Sequence, residues 1–344
     1  MNPADETSKE NDILLDVRGL TKHFPLKKQL SRRIIGTVKA VDDVSFQIHK
    51  GQTVGLVGES GCGKTTTGRC ILRAIEPTSG QVSLHDGDRM VNVLALNRTQ
   101  LRRFRRNMQL IFQDPYSSLN PRMTVMRIVG EPLLLHGLVR GADLEDRVRL
   151  LMKQVGLDEK FLNRYPHAFS GGQRQRIGIA RALALRPSLI VADESVSALD
   201  MSMQAQILNL MKQLQKDFDL TYLFIAHDLS VIRHFSDRVL VMYAGKLVEN
   251  APTAELFRQP KHPYTEALLS AAPRPDPRDK STRIVLSGEV PDPANLPSGC
   301  AFHPRCPHAV DRCRTETPVL TQIAAGRWAS CHLAEELELN GVKE

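Results

Sequence analysis

The amino-acid sequence predicts an α/β fold in which helices are layered on a mainly parallel sheet. Three short apolar runs, at residues 53–57, 189–192 and 222–226, have the continuous apolar character of strands that are buried on both faces of a sheet. Helical patterns alternate with these runs, as at residues 207–218. This alternation of buried strands and helices predicts the α/β class.

Length and composition predict one large domain and one small one. The chain has 344 residues, of which 42% are apolar and 24% charged, which is enough for one large core and a small appendage. We place the large domain at residues 12–258 and the appendage at residues 259–344. Prolines recur between Pro260 and Pro297. Because proline cannot continue a central strand, we expect the segment after Pro260 not to extend the sheet.

Two segments of the large domain depart from the parallel pattern. Residues 13–17 and 38–48 alternate apolar and polar side chains, which predicts an antiparallel hairpin with a long loop at residues 25–36. The strand signal then disappears across residues 120–168, which predicts a helical subdomain. Five apolar residues of this segment fall on one helical face: Leu144, Val148, Leu151, Met152 and Val155.

Composition also argues against two classes of protein. No stretch approaches the roughly 18 apolar residues of a membrane-spanning helix, and residues 1–12 lack the apolar region of a secretion signal. We therefore expect the chain to remain in the cytosol. The net charge is +8, but aromatic residues make up only 5% and are not interleaved with the basic clusters, which argues against nucleic-acid binding.

A phosphate-binding loop is predicted directly after the first buried strand. Residues 58–65 read GESGCGKT and match the pattern G-x-x-x-x-G-K-[ST] in full. Because the loop joins a strand to a helix, its backbone N–H groups and the helix N-terminus can converge on phosphate oxygens. The alternative is a glycine-rich turn with a purely structural role. The predicted ATP-binding residues are Gly58, Glu59, Ser60, Gly61, Cys62, Gly63, Lys64, Thr65 and Thr66.

The chemistry of this loop assigns roles to two of its side chains. Lys64 is expected to neutralise the β- and γ-phosphates, and the Thr65 hydroxyl is placed to hold Mg²⁺. Two carboxylates, Asp193 and Glu194, end the second buried strand. At the carboxyl edge of a parallel sheet, Asp193 can reach Mg²⁺ and Glu194 can polarise a water for in-line attack on the γ-phosphate. Alternatively, both acids could cap a helix.

A second anion site is predicted at residues 169–173, which read FSGGQ and open a helix. A serine hydroxyl, two glycine amides and a helix N-terminus can bind phosphate there. One domain has no use for two γ-phosphate sites, so we expect this site to bind the nucleotide of a partner subunit. Its residues are Ser170, Gly171, Gly172 and Gln173.

With this pentapeptide, the sequence resembles the nucleotide-binding subunits of ABC transporters over about residues 12–255, and FSGGQ is their signature motif. The resemblance implies a P-loop NTPase domain of the ABC type, with a helical subdomain, an antiparallel β-subdomain and a cysteine-containing C-terminal appendage. In this family a proline commonly follows the catalytic glutamate, whereas Ser195 follows Glu194 here. No chemical group is lost, so we expect activity to survive this difference.

The resemblance implies roles for further positions. Gln113 corresponds to the Q-loop glutamine that touches Mg²⁺, and His227 to the switch histidine that contacts the γ-phosphate. Residues 197–200 correspond to the D-loop, and Phe24 to the aromatic residue that stacks on adenine. Without the resemblance, Phe24 could simply pack on the first strand. The implied catalytic residues are Glu194, His227 and Gln113, and the implied Mg²⁺ ligands are Thr65, Gln113 and Asp193.

Segments outside the motor resemble the oligopeptide/dipeptide importer subfamily. They lie at residues 116–122, 262–269 and 286–291. The resemblance implies a heterodimer with a second ATPase subunit, two membrane permease subunits and an extracytoplasmic solute-binding protein. It also implies a peripheral location at the cytoplasmic face of the inner membrane. Members of the subfamily also carry nickel, glutathione, opines and some sugars, so the solute stays open.

Four of the six cysteines crowd into residues 300–331: Cys300, Cys306, Cys313 and Cys331. A reducing cytosol disfavours disulfides, and four thiols in a segment without its own core indicate a metal site, either tetrahedral Zn²⁺ or an iron–sulfur cluster. The resemblance to peptide importers favours a [4Fe–4S] cluster, while the spacing alone does not decide. Three histidines are alternatives for one thiolate, although we expect each of them to be solvated or to lie outside the ligand shell: His303, His308 and His332.

Two other classes of function are open at this stage. One is a non-transport ABC ATPase that acts on nucleic acid or ribosomes, which would usually carry a tandem second motor or a long coiled coil. The other is an ATPase regulated by metal or redox state through its cysteines. A complete set of hydrolytic residues makes the metal or redox response at most a regulatory addition to ATP hydrolysis.

Overall fold

The structure, a computed structural model, describes residues 12–27, 34–271 and 284–342 of the chain. These residues form two compact units. The first unit comprises residues 12–15, 47–52 and 83–225, and the second comprises the remaining described residues. This division into units does not test the predicted domain boundary between residues 258 and 259, which stays a prediction.

The strands of the described chain are numbered in sequence order. They are β1 (Ile13–Lys27), β2 (Ile34–His49), β3 (Thr53–Val57), β4 (Ser79–Asp86), β5 (Arg89–Asn92), β6 (Met108–Ile111), β7 (Leu189–Asp193), β8 (Thr221–Ile225), β9 (Arg238–Tyr243), β10 (Lys246–Pro252), β11 (Thr321–Ala324) and β12 (Arg327–Ala329). The predicted hairpin segments belong to β1 and β2, which are neighbours in a sheet of order β2-β1-β4-β5.

The α-helices are numbered in the same way. They are α1 (Lys64–Ile71), α2 (Arg98–Phe104), α3 (Pro115–Ser118), α4 (Val125–Leu135), α5 (Ala142–Gln154), α6 (Gly171–Leu183), α7 (Met201–Phe218), α8 (Leu229–Phe235), α9 (Thr253–Arg258), α10 (Pro263–Ala271) and α11 (Asp311–Thr315). None of them, within the part of the chain described, combines the length and the apolarity needed to cross a bilayer.

In the first unit, strands β6, β7 and β8 lie side by side in parallel. The register pairs Leu189 of β7 with Met108 on one side and Thr221 on the other. Every residue of β7 and β8 is buried, as continuous apolar runs require. Helices α4, α5 and α6 pack against one another. The bounds predicted for the helical subdomain stay a prediction. The predicted apolar face of α5 is the buried one, with Val148 and Met152 fully enclosed.

In the second unit, β3 pairs in parallel with β9, and β9 pairs antiparallel with β10. The order then continues through β12 to β11. Glu249 of β10 lies opposite Ala329 of β12, so the segment after Pro260 does extend the sheet. The prediction that it would not is wrong. Proline is absent from residues 319–330, and the turn at Gly326, where φ is +70°, lets these residues form a hairpin on the open edge of β10.

Candidate active site

The path of the phosphate loop requires glycine at two positions. Gly58 has φ +151° and Gly63 has φ +109°. A Cβ atom at Gly58 would lie 2.2 Å from the carbonyl oxygen of Met242, and one at Gly63 would lie 2.1 Å from that of Ala40. By contrast, a Cβ at Gly61 would meet no atom of the described residues within 4 Å, apart from those of its chain neighbours. The loop is therefore pressed against its own unit at both ends and open at its middle.

Lys64 is folded into this loop. Its ammonium group is buried and donates hydrogen bonds to the carbonyl oxygens of Gly58, at 2.7 Å, and Glu59, at 2.9 Å. Helix α1 begins at Lys64, and its N-cap residue Gly63 makes no side-chain capping hydrogen bond. A helix N-terminus without a side-chain cap, beside a buried ammonium, is an arrangement that favours a bound phosphate. Thr65 and Thr66 follow on the first turn and are half-buried.

In the first unit, the structure brings together two of the predicted catalytic residues at the carboxyl end of the parallel strands. The Gln113 amide donates to Oε2 of Glu194 at 2.8 Å. Glu194 adopts a left-handed backbone with φ +45°, and its N–H donates to the carbonyl oxygen of Ile225. Asp193, the last residue of β7, is only 3% exposed. This geometry orients the Glu194 carboxylate, as a group that polarises a water molecule requires.

Ser195, which stands where the family commonly has proline, is buried. Its side-chain oxygen makes no hydrogen bond within the described residues. The Ser195 side chain therefore makes no hydrogen bond that a proline at this position would lack. The expectation that this substitution leaves activity intact stays a prediction.

The signature residues form the N-terminus of α6. The Ser170 hydroxyl accepts a hydrogen bond from the Gln173 N–H at 3.3 Å, and the Gln173 side chain accepts one from the Ser170 N–H at 3.1 Å. This reciprocal pair is a capping box. A Cβ at Gly172 would lie 1.9 Å from the terminal methyl of Met203, so this glycine also permits close packing of α6 against α7.

The predicted site residues fall into two groups. The first unit holds Gln113, Asp193, Glu194 and residues 170–173, and the second unit holds residues 58–66, Phe24 and His227. His227 is exposed two residues beyond β8. The Phe24 ring is 37% exposed, and the Lys22 ammonium lies 4.8 Å from its centroid. The roles of these side chains toward ATP stay predictions.

The four C-terminal cysteines line one small cavity. Its walls also include Phe302, Leu333 and Leu337, together with the histidines His262, His303, His308 and His332. Burial raises the pKa of the Cys306 and Cys331 thiols to about 11. Among the described residues, however, no group of three or more His, Cys, Asp or Glu side chains could hold a metal ion. The predicted metal site therefore has no support from the side-chain positions.

Sequence reasoning missed two residues that contact the phosphate loop. Arg305 makes a double ion pair with the Glu59 carboxylate, with N···O distances of 2.7 and 3.0 Å, across 246 residues of sequence. The Tyr264 hydroxyl accepts a hydrogen bond from the Glu59 N–H at 2.7 Å. Neither residue lies in a motif of the loop, and only its position in the folded chain gives it this role.

Comparison with known proteins agrees with this geometry. Residues 41–197 match the ABC transporter family, and residues 248–313 match the oligopeptide/dipeptide transporter C-terminal region. The chain is 51% identical to the oligopeptide transport ATP-binding protein AppF of Bacillus subtilis, over 95% of this chain and 99% of that protein. It is also 51% identical to the probable peptide ABC transporter ATP-binding protein y4tS of Sinorhizobium fredii, over 94% and 90% respectively.

Solved structures agree on the fold. The ATP-binding cassette MJ0796, solved as a dimer in a post-hydrolysis state with ADP and phosphate, superposes with a TM-score of 0.60. It is 29% identical and covers 70% of this chain and 99% of its own. The phosphate loop, the oriented glutamate, the capped signature helix and the match through the C-terminal region agree with one another. The chain therefore belongs to the ATP-binding subunits of peptide ABC transporters and is an ATPase coupled to transport.

Proposed function

We propose that the chain drives the uptake of peptides as one ATPase subunit of a heterodimer. In this assembly it lies at the cytoplasmic face of the inner membrane, beneath two permease subunits that receive peptide from an extracytoplasmic solute-binding protein. The observation that carries the proposal is the reach of the similarity: it continues beyond the motor through the region that characterises oligopeptide/dipeptide transporters.

We further propose that ATP binds between the phosphate loop of one subunit and the signature loop of the other. Residues 58–66 hold the phosphates, and Phe24 stacks on adenine. The oxygen donors of Thr65, Gln113 and Asp193 are of the type that Mg²⁺ prefers, and Mg²⁺ neutralises the β- and γ-phosphates when bound. The residues that face the partner subunit's nucleotide are Ser170, Gly171 and Gly172. Gln173 supports Ser170 through the capping box.

Hydrolysis then depends on how the chain orients a water molecule. Glu194 accepts a proton from that water as it attacks the γ-phosphate, and Gln113 holds the carboxylate by the 2.8 Å hydrogen bond. His227 contacts the γ-phosphate. Lys64 leaves the carbonyl oxygens of its own loop to neutralise the phosphates. Closure of two subunits excludes bulk water from the site.

Peptide uptake by a strain that lacks this chain tests the proposal. Wild type should restore uptake of labelled short peptides, whereas Glu194→Gln should bind ATP, trap a closed dimer and lower both ATPase activity and uptake by at least about 100-fold. Glu316→Gln, which removes one half of an exposed ion pair with Arg312, serves as the matched control. Restored ATPase activity without peptide uptake would reject peptides as the solute, and near-normal turnover in Glu194→Gln would reject its catalytic role.

The arrangement in trans needs a separate test. Ser170→Arg in this chain should leave nucleotide trapping at its own Lys64 site intact and abolish trapping at the partner site that Ser170 completes. To measure the two sites separately, nucleotide is photocrosslinked to the complex, the subunits are purified, and the label on each subunit is quantified. The opposite distribution of label would show that Ser170 acts within its own chain.

We also propose that the four cysteines hold a [4Fe–4S] cluster, with Zn²⁺ as the alternative. Support comes from the sequence, since four thiols of the type that binds iron–sulfur clusters and Zn²⁺ crowd into residues 300–331. Such a group, when bound, would stabilise the folded segment and would not act on the phosphates.

Anaerobic purification tests the cluster. A brown protein with absorbance near 400 nm, about four irons and about four labile sulfides is the expected result. Cys306→Ser should lose the colour, whereas Cys70→Ser, a buried cysteine of α1, should keep it. Finding one zinc and no labile sulfide would show that the cysteines bind Zn²⁺ and not a cluster. Finding neither iron nor zinc would reject a metal at this site.

A further inference from the structure

Glu59, the second residue of the phosphate loop, is held through all three of its polar groups. Its carboxylate pairs with Arg305, its N–H donates to the Tyr264 hydroxyl, and its carbonyl oxygen accepts from Lys64. The first two partners come from the C-terminal region. The third is the ammonium group that the ATP phosphates need. One residue therefore links the C-terminal region to the phosphate-binding lysine.

The Arg305 side chain is buried where it contacts Glu59. It is only 7% exposed, and both of its terminal nitrogens reach Glu59. The hydrogen bond to Glu59 raises the pKa of the Arg305 guanidinium above its usual value. Planar, two-point pairing of this kind fixes direction as well as distance, which a lysine could not do.

Arg305 lies between two of the clustered cysteines. It ends the short turn His303–Arg305, which begins three residues after Cys300 and is followed at once by Cys306. Backbone hydrogen bonds tie the turn to both, from the His303 N–H to the Cys300 carbonyl and from the Cys306 N–H to the His303 carbonyl. A change in the position of either cysteine is therefore passed to Arg305 through the backbone.

A cluster of aromatic side chains also supports the contact between Arg305 and Glu59. Phe302 is fully buried, with its ring centroid 5.2 Å from that of Tyr243 and 5.5 Å from that of Tyr264. Tyr264 contacts Glu59, and the Tyr243 hydroxyl lies 3.4 Å from Arg305. Because packed aromatic rings resist displacement, the turn and the phosphate loop are held at a fixed separation.

We propose that Arg305 is a positioning residue for nucleotide binding, which couples the four-cysteine segment to the phosphate loop through Glu59. It does not touch the nucleotide. It keeps the loop backbone and Lys64 in the arrangement that receives phosphate, so that disturbing the segment weakens ATP binding. The proposal rests on ATP binding at the loop, and it is independent of the solute and of any metal at the cysteines.

Equilibrium binding of a fluorescent ATP analogue to the full-length chain tests this coupling. Arg305→Gln and Glu59→Gln should each weaken binding roughly 5- to 20-fold, and the double variant should be no weaker than either one. Arg305→Lys should restore part of the affinity. Arg312→Gln breaks an exposed ion pair in the same segment and should leave affinity unchanged. In ATPase assays with the partner chain, the KM of Arg305→Gln should rise while kcat is kept.

Cys62 provides a local reporter. It lies inside the loop, 3% exposed, with its sulfur 3.8 Å from the Lys64 ammonium. Site-resolved mass spectrometry should show faster alkylation of Cys62 in Arg305→Gln than in Arg312→Gln, with ATP protecting both. Unchanged affinity in folded Arg305→Gln, or strictly additive effects in the double variant, would overturn the proposal. If Arg305→Gln fails to fold, normal affinity and normal Cys62 reactivity in Glu59→Gln would overturn it equally.

Discussion

The phosphate loop and the signature loop both present the N-terminus of a helix, but they are held in different ways. The signature helix is capped by its own residues, through the reciprocal hydrogen bonds of Ser170 and Gln173. The phosphate-loop helix has no side-chain cap, and its loop is held by Arg305 and Tyr264, which lie more than 200 residues away. A self-capped helix end is stable without a ligand, whereas the phosphate loop depends on the rest of its unit.

The largest expected effect concerns the backbone of the phosphate loop. Gly63→Ala places a Cβ 2.1 Å from the Ala40 carbonyl oxygen, in a backbone conformation that non-glycine residues avoid. We expect a loss of about 3 kcal/mol in ATP binding, or roughly 100-fold in Kd. Isothermal titration of the full-length chain with ATP measures it.

Gly178→Ala is the matched control on the signature helix. Apart from its neighbours in the helix backbone, no atom of the described residues lies within 4 Å of a Cβ at this position, and the residue is in the middle of α6. Since alanine has the higher helix propensity, this change should raise the free energy of unfolding by about 0.5–1 kcal/mol and leave ATP binding unchanged. Normal ATP affinity in Gly63→Ala would show that the loop does not depend on its close contact with residue 40.

This difference also explains what the sequence could predict. The phosphate loop and the acids at the end of β7 lie in short contiguous motifs, so residue types and spacing were enough to predict where in the fold they lie. Their roles toward ATP stay predictions. The contact of Glu59 with Arg305 joins positions 246 residues apart, and no local pattern encodes it. The order of β10, β12 and β11 was missed for a related reason. Prolines at residues 260–297 describe only their own segment and carry no information about a hairpin at residues 321–329.

Acidification should weaken the support of the phosphate loop. His262 is fully buried, and its Nδ1 accepts a hydrogen bond from the N–H of Tyr264, the residue that contacts Glu59. Burial lowers the pKa of His262 to about 3. The unfolded chain, with a pKa near 6.5, therefore binds this proton more readily, so stability is complete above about pH 6.5 and is lost as the pH falls toward 3.

Between pH 7 and pH 5, we expect this histidine to account for a loss of about 2 kcal/mol in the free energy of unfolding. Burial raises the pKa of Glu249 to about 7, which acts with the opposite sign over the same range. The measurement is therefore a difference: denaturant unfolding of wild type and His262→Asn at both pH values, with Glu249 unchanged in each. Equal pH dependence in the two proteins would contradict the assignment.

Replacement of the capping serine should have a smaller effect. Ser170→Ala removes the acceptor for the Gln173 N–H and should cost about 1 kcal/mol in the free energy of unfolding. Ser170→Asn keeps a capping oxygen and should be nearly as stable as wild type. Both should lower ATPase activity with the partner chain, because the hydroxyl is expected to face the partner's nucleotide. Full activity in Ser170→Asn would mean that the serine acts only as a cap.

The smallest effect is expected at Gln173, where two roles can be separated. The sequence predicts that this residue binds nucleotide, while the structure shows its side chain accepting a hydrogen bond from the Ser170 N–H. As a cap alone, Gln173→Ala loses one partly exposed hydrogen bond, because Ser170 still accepts from the backbone of residue 173. That should cost about 0.5 kcal/mol and change the KM for ATP less than about threefold.

Unfolding and ATPase assays on the same preparation measure both quantities. Gln175→Met controls for loss of a glutamine on α6, because it removes a buried amide nitrogen that has no hydrogen-bond partner in the described chain. A KM increase of tenfold or more, with stability unchanged, would assign Gln173 to the nucleotide, because a capping bond affects the helix in every state and a nucleotide contact is felt only when ATP binds.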